Sequence, residues 1–65
     1  MMTMTDAPRA EVRIQRYQDA PDCDVVVTFR GKVMELRCPN YDQAVKWARV
    51  ECKNYGVGSA FIDER

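Results

Sequence analysis

A run of alternating residues folded about one Arg-Gly dipeptide constrains this chain more than anything else in it. Cys23-Asp24-Val25-Val26-Val27-Thr28-Phe29 runs into Arg30-Gly31 and returns as Lys32-Val33-Met34-Glu35-Leu36-Arg37-Cys38. Suppose Arg30-Gly31 is a two-residue turn. Phe29 then faces Lys32, Val27 faces Met34, Val25 faces Leu36 and Cys23 faces Cys38. Side chains alternate with period two, so these eight share one face of a hairpin. That face is apolar apart from Lys32 at the tip. The other face carries Asp24, Val26, Thr28, Val33, Glu35 and Arg37, with Asp24 opposite Arg37 as a favourable pair. A three-residue loop would mix the two faces. The segregation therefore selects the two-residue turn, in which glycine supplies a positive φ.

A helix follows. Asn40 is a good N-cap, with Pro39 before it and Gln43 placed as in a capping box. Asp42 in the first turn and Lys53 in the last suit the helix dipole, and Gly56 is a natural stop. Between them Tyr41, Ala44, Val45, Ala48, Cys52 and Tyr55 form one apolar stripe at helical spacing. The stripe is expected to lie on the apolar face of the hairpin.

Either side of this unit the pattern is strand-like. Ala10, Val12 and Ile14 alternate with Glu11, Arg13 and Gln15, which predicts a half-buried strand. Tyr17 breaks the parity, so the strand ends or bulges near Arg16. Asp19 to Asp22 reads as a loop, because Pro21 cannot donate to a ladder. Val57 to Ile62 reads as a last short strand weakened by Gly58, and Asp63-Glu64-Arg65 as a solvated end.

The expected fold is α+β: a small, mostly antiparallel sheet of three to four strands with one helix on one face, in the order β-β-β-α-β. A strand after the helix must run parallel to the first or the third. Placing it beside the first gives the order 4-1-2-3. Residues 1–8 are expected to be a disordered tail and residues 9–65 a single domain. The layout is similar to that of many small bacterial domains of no assigned function.

Composition narrows the function. Ten basic and ten acidic residues cancel, which argues against a strongly basic nucleic-acid binder. No histidine is present, so the commonest general base and metal ligand are missing. The one serine, Ser59, has no base to activate it, and no phosphate-binding glycine loop or dinucleotide motif occurs. An enzyme is not expected, nor any cofactor. The three cysteines, Cys23, Cys38 and Cys52, lack the close-spaced pair and fourth ligand of a structural zinc site. They read as small core residues, with Cys23 and Cys38 near enough for a disulfide under oxidising conditions. Asp19, Asp22 and Asp24 lack the glycine and distal glutamate of a calcium loop and read as turn residues. Met1 to Asp6 has neither the basic region nor the apolar core of a signal peptide, and no apolar run reaches membrane-spanning length. A cytoplasmic location with reduced thiols is expected.

Two surfaces remain for binding. Trp47 and Val50 stand off the buried stripe, and a Trp with an apolar neighbour on a polar flank suits an interface anchor. Alternatively Trp47 folds over the sheet edge and completes the core. One helix covers one side of a sheet, so Val26, Val33 and Phe61 on the other side make a modest apolar patch suited to dimerisation. Self-association would also relieve the shortage of core in a chain of 65 residues. The leading expectation is a non-enzymatic binding or regulatory module acting through protein contacts, as a homodimer joined through the open sheet face or an exposed edge. The alternative is a weak nucleic-acid binder. Lys46, Arg49 and Lys53 fall within roughly 60° of arc, given about 100° per residue. Arg30 and Lys32 add positive charge at the hairpin tip.

Overall fold

In the computed structural model, residues 10–65 are described. The tail expected over residues 1–8 lies outside them. The elements are β1 (Ala10–Tyr17), β2 (Ala20–Phe29), β3 (Lys32–Cys38), α1 (Tyr41–Tyr55) and β4 (Phe61–Glu64). The sheet order is β3-β2-β1-β4, with β4 parallel to β1 and the other pairs antiparallel. The expected α+β fold and strand order are both present.

The hairpin has the register its alternation requires, from Phe29↔Lys32 to Cys23↔Cys38, with Asp24 opposite Arg37. Gly31 has φ 80°, and Arg30 also stands in the left-handed region at φ 52°. Two successive positive values are what a type I′ turn requires. The strain at Arg30 was not anticipated, since only the glycine was expected to need a positive φ. An arginine there costs about 1–2 kcal/mol relative to a right-handed conformation. Its guanidinium lies 5.2 Å from the centre of the Phe29 ring, which offsets part of that cost. Arg30→Asn should therefore raise the melting temperature by a few degrees. A fall would show that the stacking outweighs the backbone strain.

Helix α1 begins where Asn40 Oδ1 accepts from the Gln43 N–H at 2.9 Å. It ends at Gly56, at φ 71°, where the Cys52 carbonyl accepts from both the Gly56 and Val57 N–H groups. The expected stripe faces the sheet. Ala44, Ala48 and Cys52 are buried with Val12, Ile14, Cys23, Val25, Val27 and Cys38, and Tyr41, Val45 and Tyr55 pack around them.

Three boundaries differ from expectation. Strand β2 starts at Ala20, so Pro21 and Asp22 belong to it. They stand between the Tyr17↔Ala20 and Arg16↔Cys23 pairs, where the register shifts. A bulge places no ladder demand on proline, which is why Pro21 is tolerated. Strand β4 starts at Phe61 rather than Val57, because Val57 is held by the helix cap and Gly58 to Ala60 carry the chain across to the sheet edge. Asp63 and Glu64 are paired with Gln15 and Arg16 instead of forming a solvated end. The Arg65 N–H continues the ladder to the Arg16 carbonyl at 2.9 Å, and Gln18 N–H donates to the Arg65 carbonyl.

A candidate interaction surface along strand β3

The route of the chain decides which apolar residues are covered. Leaving β3 at one edge of the sheet, it must reach β4 at the other edge. Helix α1 therefore sits over the two middle strands, β1 and β2. The apolar side chains of β3 point to the helix side but extend beyond its reach. Met34 remains 47 % exposed and Leu36 39 % exposed. Both were expected in the core. The signal was present in the expected strand order, since a helix bridging opposite edges cannot also cover an edge strand.

Trp47 projects from the flank of α1 toward this uncovered strip and is itself 45 % exposed. With Val25, Val27, Met34, Leu36 and Glu51 it lines an open groove of about 330 Å³. Val50, also exposed, shares a shallower hollow with Trp47, Gln43 and Lys46. The expected anchor pair thus stands together on one flank. Trp47 neither closes the core nor projects freely. It forms one wall of a half-built apolar groove whose floor is the β2–β3 pair.

The open face of the sheet does not carry the expected patch. Val26 is only 5 % exposed. It lies on a middle strand, between Arg13 and Glu35 across the sheet and Asp24 and Thr28 along it. Val33 and Phe61 are both well exposed, but Val33 is on β3 and Phe61 on β4, at opposite edges. Three strand spacings separate those edges, about 14 Å. The three residues do not form one surface.

A polar network occupies that face instead. The Tyr17 hydroxyl donates to Asp24 Oδ2 at 2.6 Å, and Arg37 Nε donates to Asp24 Oδ1 at 2.5 Å. Arg37 Nη1 also reaches Asp22 Oδ2 at 2.7 Å. Next to it, Gln15 donates to Asp63 at 3.2 Å. The Tyr17 hydrogen bond holds the Asp24 carboxyl below its ordinary pKa. Burial opposes this, and Arg37 adds to it by hydrogen bond and charge. The same hydrogen bond raises the Tyr17 phenol. Asp22 and Asp24 are thus engaged by Arg37, and among the described residues no cluster of three or more carboxylate or thiol groups is placed to hold a metal ion.

Cys23, Cys38 and Cys52 are free thiols buried in the core. Burial raises the pKa of Cys38, with smaller contributions from Cys23 and Asp24, and raises that of Cys52 alone. Such thiols are poor nucleophiles.

The basic residues spread over one end and one side. The Phe29 and Tyr55 rings meet with centroids 4.9 Å apart, which sets the C-terminal end of α1 beside the hairpin tip. Lys53 therefore lies at the same end as Arg30 and Lys32. Arg49 and Lys53 line a separate cleft of about 480 Å³ between α1 and the chain leading to β4, floored by Ile14 and Ile62. Lys46 stands away from that cleft, beside Trp47.

No family model matches the chain, and no curated protein or solved structure matches it. Among the described residues no helix is long and apolar enough to cross a membrane.

Proposed function

We propose that this chain is a small non-enzymatic module that acts through protein contacts and associates with itself. The observation that carries this reading is the uncovered strip of Met34 and Leu36 beside Trp47. A domain this small buries only about 60 % of the surface its unfolded chain exposes. Leaving a Trp, a Met and a Leu together at the surface is then costly, unless a partner covers them.

Light scattering over a concentration series, in low and in high salt, tests the reading. The expected result is a mass of two chains at high micromolar concentration in both salts, because apolar contact and backbone hydrogen bonds respond weakly to ions. A mass of one chain throughout would overturn self-association.

A second reading is weak nucleic-acid binding through Arg30, Lys32, Lys46, Arg49 and Lys53. The Phe29–Tyr55 contact favours it, since it gathers Arg30, Lys32 and Lys53 at one end. Phosphate contacts would make affinity fall steeply with salt. Charge reversal at Arg49 and Lys53 would abolish that activity and leave self-association intact.

A further inference from the structure

We propose that the partner covering the β3 flank is a second copy of this chain, joined by antiparallel pairing of β3 with β3 about a two-fold axis at Leu36. The inference rests on the self-association reading above and names its surface and register.

Among the described residues strand β3 is hydrogen-bonded on one side only, and every residue from Lys32 to Arg37 is exposed. Its pairing with β2 runs unbroken, with neither a bulge nor a proline. Bulges and prolines are two of the devices that blunt a free edge, and β3 has neither, its only such feature being the charged side chains Lys32, Glu35 and Arg37. The two-residue turn makes Phe29↔Lys32 a hydrogen-bonded pair, so Lys32, Met34, Leu36 and Cys38 exchange bonds with β2. Val33, Glu35 and Arg37 therefore turn their N–H and C=O groups toward the free edge.

Two-fold antiparallel pairing keeps each face continuous, so the axis must pass through a residue. Three registers near the middle of β3 are available. Centred on Glu35, the strand sets that carboxylate against its own copy. Centred on Met34, it sets the Lys32 ammonium against Leu36 of the second copy. Centred on Leu36, it sets Glu35 against Arg37 of the second copy, twice. Leu36 then meets itself, and Met34 comes opposite position 38 of the second copy, where Cys38 is buried in its own core. Only this last register opposes unlike charges on the open face and joins apolar side chains on the helix face. The alternating charge of β3 excludes many foreign strands and complements its own.

The axis lies perpendicular to the sheet, so both helices stay on the same side. The two grooves walled by Trp47 then face each other across the seam, and the result is one continuous eight-stranded sheet. Each copy supplies the floor that the other's groove lacks.

Sedimentation equilibrium on the full chain, with three variants, tests this. Glu35→Arg puts like charges across the seam and should weaken the dimer roughly tenfold or more. Glu35→Pro removes an outward N–H while leaving the β2–β3 bonds in place, and should leave a folded monomer by circular dichroism. Leu36→Cys places two thiols at a non-hydrogen-bonded pair, where Cα atoms lie about 4.5 Å apart. It should give a covalent dimer on oxidation, whereas Val50→Cys should not. A dimer that keeps its affinity in both Glu35 variants, with no cross-link at position 36, overturns this interface while self-association stands. A wild-type chain that is monomeric throughout overturns both. Should a Glu35 variant fail to fold, the Leu36→Cys cross-link alone decides.

Discussion

Ala44→Leu is expected to destabilise the domain by about 1–3 kcal/mol, the usual cost of forcing extra methylene groups into a packed interior. Ala44 is fully buried on the stripe of α1 that lies on β1 and β2. Alanine there sets the distance between helix and sheet. A leucine must lift the helix or push the core side chains beneath it out of place. Its helix propensity is nearly that of alanine, so the loss reports packing. In a domain of this size each 1 kcal/mol shifts the melting temperature by about 4–8 °C, which makes the change easy to measure. Val50→Ala, on the exposed flank of the same helix, should stay within about 0.5 kcal/mol if the chain is measured as a dilute monomer. Equal effects at both positions would mean that the helix is not seated as described.

What the sequence made legible and what it left hidden divide along a physical line. The hairpin register follows from period-two alternation and one turn, and both are local. The helix limits follow from Asn40 and Gly56, which act on backbone groups within one turn of themselves. The burial of Met34, Leu36 and Val26 is not local. Met34 and Leu36 carry the same alternation as Val25 and Val27, yet they sit on an edge strand that the helix does not cover. Val26 alternates with the buried set and was expected outside. As part of a middle strand it has neighbours on every side, and longer side chains close over it. The alternation states which face a residue takes, whereas strand order states whether that face is covered. The candidate surface is thus half visible in the sequence: helical spacing sets Trp47 and Val50 off the buried stripe, whereas alternation alone puts the β3 residues that complete the groove in the core.

The network on the open face shows the same division. The Asp24–Arg37 pair was legible from the register. The role of Tyr17 was not, although its break in parity was the cue. Plain alternation sets Tyr17 with Arg13 and Gln15 on the face that carries Asp24, and its hydroxyl lies within hydrogen-bonding distance of that carboxylate.

That placement makes Asp24 the residue whose loss should matter most outside the core. Its side chain is 12 % exposed, and it accepts from both Tyr17 and Arg37. Hydrogen bonds to a charged group contribute about 1.5–3 kcal/mol. Tyr17 and Arg37 are partly solvated and regain water when the carboxylate goes, so Asp24→Ala is expected to cost about 1–2 kcal/mol at neutral pH. The cost should depend on pH in a definite direction. The folded carboxyl has a lowered pKa, so its contribution is complete above the unfolded value, about 4, and is lost as pH falls through the folded value. The wild-type and Asp24→Asn melting temperatures should therefore differ by a constant amount near neutrality and converge in acid. At the other end the Tyr17 phenol has a raised pKa. Its contribution is complete below the unfolded value, about 10, and is lost as pH rises through the folded one. Tyr17→Phe should remove that alkaline limb, while Asp24→Asn should weaken both limbs. Melting curves that stay parallel from acid to neutral pH would show that Asp24 is not held by this network.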